Sequence, residues 1–182
     1  MQRRTFLAGA GAAGATGLAG CSALATDASA ATLWMDDGRE VYASFSVDGD
    51  EVAAAGVRFY EPTVGGTVPF RAWVERTADA SYADVRLAIT HGDPAGALYM
   101  RPSSATERPS FSYTHTSNPA GAVVALDDPD DADTLTYGFR FDPADGDTDL
   151  RLDIDLTLTT GGLRPTRWHC TATRTLAPHA RV

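Results

Sequence analysis

From Leu150 to Thr159 the chain reads Leu-Arg-Leu-Asp-Ile-Asp-Leu-Thr-Leu-Thr, with an aliphatic side chain at every second position. A helix would scatter those five aliphatics around its circumference, whereas a strand gathers them on one face. The same alternation recurs in Val41, Ala43, Phe45 and Val47 and in Leu135, Tyr137, Phe139 and Phe141, with shorter runs at Val57 and Phe59, at Phe70, Ala72 and Val74, and at Val85, Leu87 and Ile89. Turn-forming sequences separate the runs, among them Asp48-Gly49-Asp50, Gly65-Gly66, His91-Gly92-Asp93-Pro94, Asn118-Pro119, Asp142-Pro143 and Gly161-Gly162. Short strands punctuated this closely, with no helical periodicity, specify an all-β antiparallel two-sheet sandwich. An immunoglobulin-like sandwich of seven to nine strands is expected over residues 33–182, with a jelly roll as the rival architecture.

Such a core needs no disulfide. Burying the five aliphatics of the Leu150 run contributes roughly 1.5–3 kcal/mol each before chain entropy is subtracted. The 182 residues hold only Cys21 and Cys170. Alternation puts Cys170 on the same strand face as Trp168 and Ala172, as a buried, inert hydrophobe.

The formal net charge is −9, from 24 acidic and 15 basic residues; every basic residue is Arg and 19 of the acids are Asp. An acidic surface repels phosphate backbones, which argues against nucleic acid as a partner. GC-rich coding accounts for Arg in place of Lys but not for the excess of acid. Short carboxylates that keep their hydration in concentrated salt do account for it, because a Debye length of about 3 Å at 1 M screens their mutual repulsion. A halophilic origin is therefore expected, and under it a cluster of Asp is first of all a solvated surface.

The first residues read as an address. Arg3-Arg4-Thr5-Phe6-Leu7 precedes Ala8–Gly20, a stretch of Ala and Gly with one Thr and one Leu. Thirteen residues at 1.5 Å each span about 20 Å, short of the ~30 Å hydrocarbon core. The segment resembles a twin-arginine export signal, and Leu18-Ala19-Gly20-Cys21 resembles the lipobox at which prokaryotic lipoproteins are cleaved and lipidated. The combination is similar to the small twin-arginine-exported lipoproteins of halophilic archaea, many of which carry domains of unknown function. The resemblance implies a signal peptide over residues 1–20, export through Arg3 and Arg4, a covalent lipid on Cys21, and anchoring to the outer face of the cytoplasmic membrane. Residues 21–32, which after Cys21 hold only Ala, Ser, Thr, one Leu and one Asp without apolar periodicity, are expected as a flexible tether.

Three chemistries have residues in the domain that could serve them. Asp145, Asp147 and Asp149 have a one-three-five spacing that suits Ca²⁺, but Leu150 stands where an EF-hand loop has Gly and Leu156 where it has Glu. The equally dense Asp127–Asp133 stretch has no ligand spacing, so a solvated acidic turn is the favoured reading and a Ca²⁺ site the alternative. Blue-copper proteins are similar in size and anchoring, yet Cys170 is followed by a His only at His179 and no Met occurs after Met100. His91 or His115 would have to supply the upstream ligand. Hydrolase and nucleotide motifs are absent: there is no Gly-x-Ser-x-Gly, no His-Glu-x-x-His and no phosphate-cradling glycine loop. The domain therefore reads as non-catalytic, with an uncharacterised hydrolase as the enzymatic alternative. Tyr42, on the polar face of its strand, and Trp73, opposite the Phe70-Ala72-Val74 face, are candidate exposed rings. If adjacent, they form a platform for an envelope glycan or partner protein.

Overall fold

The computed structural model describes residues 25–34, 39–76, 79–93, 95–101, 112–117, 120–127, 133–144, 149–161, 163 and 165–177. Arg3, Arg4, Cys21, Asp145, Asp147 and His179 lie outside them. The strands, in chain order, are β1 (Ala25–Asp27), β2 (Ser29–Trp34), β3 (Glu40–Val47), β4 (Asp50–Phe59), β5 (Val68–Arg76), β6 (Ala80–His91), β7 (Ala97–Met100), β8 (Ser112–Ser117), β9 (Ala120–Asp127), β10 (Thr134–Asp142), β11 (Leu150–Thr160) and β12 (Arg167–Leu176). They form two six-stranded sheets, ordered β1-β12-β11-β6-β9-β8 and β2-β3-β4-β5-β10-β7. Every pairing is antiparallel except that of β1 with β12.

The expected all-β two-sheet sandwich is therefore present, with more strands than the seven to nine anticipated. Part of the surplus corrects the tether reading. Ala25–Asp27 pairs in parallel with Arg167–His169, and Ser29–Trp34 pairs antiparallel with β3, so residues 25–32, expected as tether, are part of the two sheets. A segment without apolar alternation can still supply edge strands, because the sheet edge asks of it only backbone N–H and C=O groups.

The alternating runs fall inward as their periodicity requires. Leu150, Leu152, Ile154, Leu156 and Leu158 are all buried, as are Val41, Ala43 and Phe45 of β3 and Tyr137, Phe139 and Phe141 of β10. The β1-containing sheet lines the core with aliphatics, Leu87, Ile89 and the β11 series, while the facing sheet contributes rings. Phe70 stacks on Phe139 with centroids 5.2 Å apart and tilts against Phe59 at 5.5 Å. Buried β-sandwich cores of this kind interdigitate side chains across a gap of about 10 Å. The outer faces of both sheets are thereby left to the intervening residues of each strand.

Turn chemistry fixes the register of those outer faces. Asp48 and Gly49 both have positive φ, 55° and 92°, and Val47 pairs with Asp50 across them. This two-residue turn matches the right-handed twist of its flanking strands. Further along the same hairpin the register shifts between Phe45 and Ser46. The shift decides which residues of β4 stand opposite Glu40, Tyr42 and Ser44.

Candidate functional site

Across β3, β4, β5 and β10, Tyr42, Gly56, Trp73 and Thr136 form one outward-facing row of register partners. Gly56 has no side chain to separate its neighbours, so the Tyr42 and Trp73 rings close over it with centroids 5.7 Å apart and planes at 45°. Nothing larger fits beneath them: a Cβ at Gly56 would lie 2.5 Å from the Val41 carbonyl oxygen and 2.8 Å from Tyr42 Cα. Both rings are half-buried.

The adjacent row is Glu40, Arg58, Arg71 and Gly138. The carboxylate of Glu40, whose side chain is only 13% exposed, accepts a 2.8 Å hydrogen bond from Trp73 Nε1 and lies 3.5 Å from Arg58. Arg58 and Arg71 are direct cross-strand partners. The Arg71 guanidinium carbon stands 5.5 Å from the centroid of the Tyr60 ring, a cation–π distance. Arg101, whose N–H bonds to the Gly138 carbonyl, lays its aliphatic stem beside Gly138, where a Cβ would touch it at 3.5–3.9 Å. Arg140 and Tyr99, register partners in the row beyond, are both exposed.

Together Glu40, Arg58, Tyr60, Arg71, Trp73, Glu75, Thr134 and Thr136 line a shallow groove of about 420 Å³. That volume falls in the ~300–1,000 Å³ range of small-ligand sites. The groove joins an apolar platform to a row of guanidinium groups.

A second shallow groove, of about 490 Å³, crosses the outer face of the other sheet and includes Arg86, Ala88, Asp153, Asp155, Thr171 and Thr173. Its polar groups answer one another. Arg151 makes a bidentate contact to Asp153 at 3.0–3.1 Å, and Thr173 Oγ1 donates to the same carboxylate at 2.6 Å. The Arg151 bonds, foremost, hold the Asp153 carboxyl below the usual carboxylate range. No aromatic ring lines this groove.

Of the acidic set at Asp145, Asp147 and Asp149, only Asp149 is described; it is exposed at the foot of β11. Among the described residues no three His, Cys, Asp or Glu side chains come together as metal ligands. One acid near this turn has a structural task. Asp93, buried at 8% exposure, accepts the N–H groups of Ala95 at 2.9 Å and Ala144 at 2.8 Å, tying the loop after β6 to the one after β10.

Among the described residues the register keeps Cys170 and His91, two of the ligands the copper alternative would use, apart. Cys170 stands opposite Leu156 and His91 opposite Leu150, so the two are six positions apart along β11. At ~3.3 Å per residue that is about 20 Å. His169 is next to Cys170 in sequence and therefore faces the opposite side of the strand. Cys170 itself is buried as expected, and burial pushes its thiol pKa up to about 12. His91 is buried at 4% exposure against Phe141, and neither of its ring nitrogens has a hydrogen-bond partner among the described residues.

Sequence reasoning found Tyr42 and Trp73 but not the arginine row. Its signal was present in Val57-Arg58-Phe59 and Phe70-Arg71-Ala72, where each Arg interrupts an inward-facing run at an outward position.

Residues 25–180 match the family described as Domain of unknown function (DUF8121). No curated protein matches the sequence. Among solved structures, one chain of a type I cohesin–dockerin complex from Clostridium thermocellum is similar, with a TM-score of 0.39 and 12% identity over 63% of this chain and 98% of that one.

Proposed function

This chain belongs to the DUF8121 family, and from that premise we propose that it is a non-catalytic binding module of the cell envelope. In this reading Arg3 and Arg4 direct its export, a lipid on Cys21 holds it at the outer face of the cytoplasmic membrane, and the outer face of the β2–β7 sheet meets its ligand. The observation that carries the reading is the Tyr42–Trp73 pair closed over Gly56 beside the Arg58–Arg71 row. Half-buried rings held on the rigid central strands of a sheet offer a platform at little entropic cost. Of the two acids that line the groove, Glu40 is committed to orienting Trp73 and balancing Arg58 rather than to activating a nucleophile. In the concentrated salt to which the composition points, recognition depends on contacts such as ring packing and guanidinium hydrogen bonds, because longer-range attraction is screened.

The test is recovery of the full chain from detergent-solubilised membranes in molar salt, as wild type and as Trp73→Ala. An envelope glycan or protein should accompany the wild type and be lost from the variant, and the N-terminal peptide should carry a diacylglycerol mass on Cys21. Equal recovery of the same molecules by both forms removes the face from the reading. An unmodified Cys21 behind an intact N-terminus removes the anchor.

A further inference from the structure

We propose that the ligand of the Trp73 groove is a saccharide bearing carboxylate or sulfate groups, an inference that rests on the reading of this face as the binding surface. Arg58 and Arg71 line the groove with Glu40 and Glu75, and Arg101 and Arg140 stand in the rows beside it. Arg58 and Arg71 are placed directly opposite each other on neighbouring strands, an arrangement that costs stability in a sheet unless something neutralises it. Glu40 balances Arg58. Among the described residues Arg71 meets the face of Tyr60, and neither Arg71, Arg101 nor Arg140 forms an ion pair with a carboxylate. A planar guanidinium on a rigid strand presents paired N–H donors to a carboxylate or sulfate from outside.

The rest of the groove selects the kind of anion. Tyr42 and Trp73 provide ring surface for the C–H faces of a sugar, and the Thr134 and Thr136 side chains stand exposed at its margin. An acidic peptide that adds to a sheet does so at an edge, where backbone groups are unpaired. The groove instead spans β4 and β5, both flanked by hydrogen-bonded neighbours, so only side chains are available for recognition. A long phosphodiester would reach beyond the two groove arginines and meet the repulsion of a chain whose net charge is −9.

The experiment titrates the folded full chain by calorimetry and Trp fluorescence with five probes: trigalacturonate, its methyl ester, a sulfated galactan oligosaccharide, oligoglutamate and oligodeoxythymidine. Trigalacturonate or the sulfated galactan is expected to bind saturably, and the stronger of the two identifies the anionic group. The winning anion should exceed the neutral ester by about tenfold or more, the ratio equivalent to 1.4 kcal/mol. Arg71→Gln should remove that preference without changing affinity for the ester, and Trp73→Ala should weaken both. Arg140→Gln repeats the test if Arg71→Gln fails to retain its near-ultraviolet circular dichroism. Binding of the ester equal to that of the stronger of the two anionic saccharides overturns the inference while leaving the binding-face reading intact. Tighter binding of oligoglutamate or oligodeoxythymidine overturns it in favour of a protein or nucleic-acid partner. Absence of saturable binding by every probe also overturns it, and the Trp73→Ala recovery from membranes then judges the broader reading separately.

Discussion

The carboxylate of Glu40 accepts the indole N–H of Trp73 at 2.8 Å and reaches Arg58 at 3.5 Å, so a single half-buried acid both orients the platform ring and tempers the arginine row. These two duties separate in Glu40→Gln. The amide oxygen still accepts from Trp73, but the contact to Arg58 loses its charge. Stability by urea denaturation should fall by about 1 kcal/mol, as for the loss of a partly exposed ion pair. Affinity for an acidic oligosaccharide should rise. A fall in that affinity would show that Glu40 is itself a ligand contact.

Gly56 permits the closest approach in the site. Adding one methyl group in Gly56→Ala forces a Cβ to within 2.5 Å of a backbone carbonyl that has no room to move inside a paired strand. Overpacking against backbone costs about 3 kcal/mol or more. The Tyr42–Trp73 contact should open as well, detectable as a red shift in Trp fluorescence. A melting temperature equal to that of the wild type would mean that β3 and β4 are not held in this register.

Much of this fold was legible because its signals are local. The Leu150–Leu158 alternation fixes which face of β11 is buried, and Asp48-Gly49 fixes a two-residue hairpin by its need for positive φ. The edge strands β1 and β2 were not legible before Leu33, since their Ala, Ser and Thr residues carry no apolar alternation and only a neighbouring strand defines them. The groove was half legible. Tyr42 and Trp73 announce exposed positions, but their meeting depends on Gly56, and the Arg58–Arg71 opposition depends on pairings set by the hairpin and by the shift at Phe45/Ser46. In a chain whose every cation is Arg, no single Arg stands out by type.

Tyr137 illustrates a polar atom that the core holds at a cost. Its hydroxyl is buried with no hydrogen-bond partner among the described residues, and burial raises the phenol above its ordinary pKa of 10.0. A folded-state pKa above the unfolded one means that the stability linked to this proton is complete below about pH 10 and is lost as pH rises beyond it. Tyr137→Phe removes both liabilities. It should raise stability at pH 7 by roughly 1 kcal/mol, since an unsatisfied buried hydroxyl disappears. The alkaline unfolding midpoint should also move upward, with Tyr82 still contributing to the remaining alkaline limb through its own raised phenol. An unchanged alkaline limb would place the Tyr137 hydroxyl in contact with water.

Neighbouring residues on β11 provide the sharpest test of the sandwich itself. Ile154 is 2% exposed, and Ile154→Asp buries a carboxylate among aliphatics with no partner, a cost on the scale of the whole ~5–15 kcal/mol stability of a domain. That variant should not fold. Asp153 faces outward, where Arg151 and Thr173 hold its carboxyl below the usual range. Its side chain is 37% exposed, so water screens the pair and Asp153→Asn should cost less than about 1 kcal/mol at neutral pH. The sign with pH follows from the depressed folded value: the contribution of Asp153 is present above about pH 3.9, its unfolded value, and is lost as pH falls through the folded one. Acid unfolding of Asp153→Asn should accordingly begin from a lower plateau and fall less steeply than that of the wild type. Comparable damage from both substitutions, measured by circular dichroism in the same salt, would exchange the two faces of β11 and with them every row assigned to that sheet.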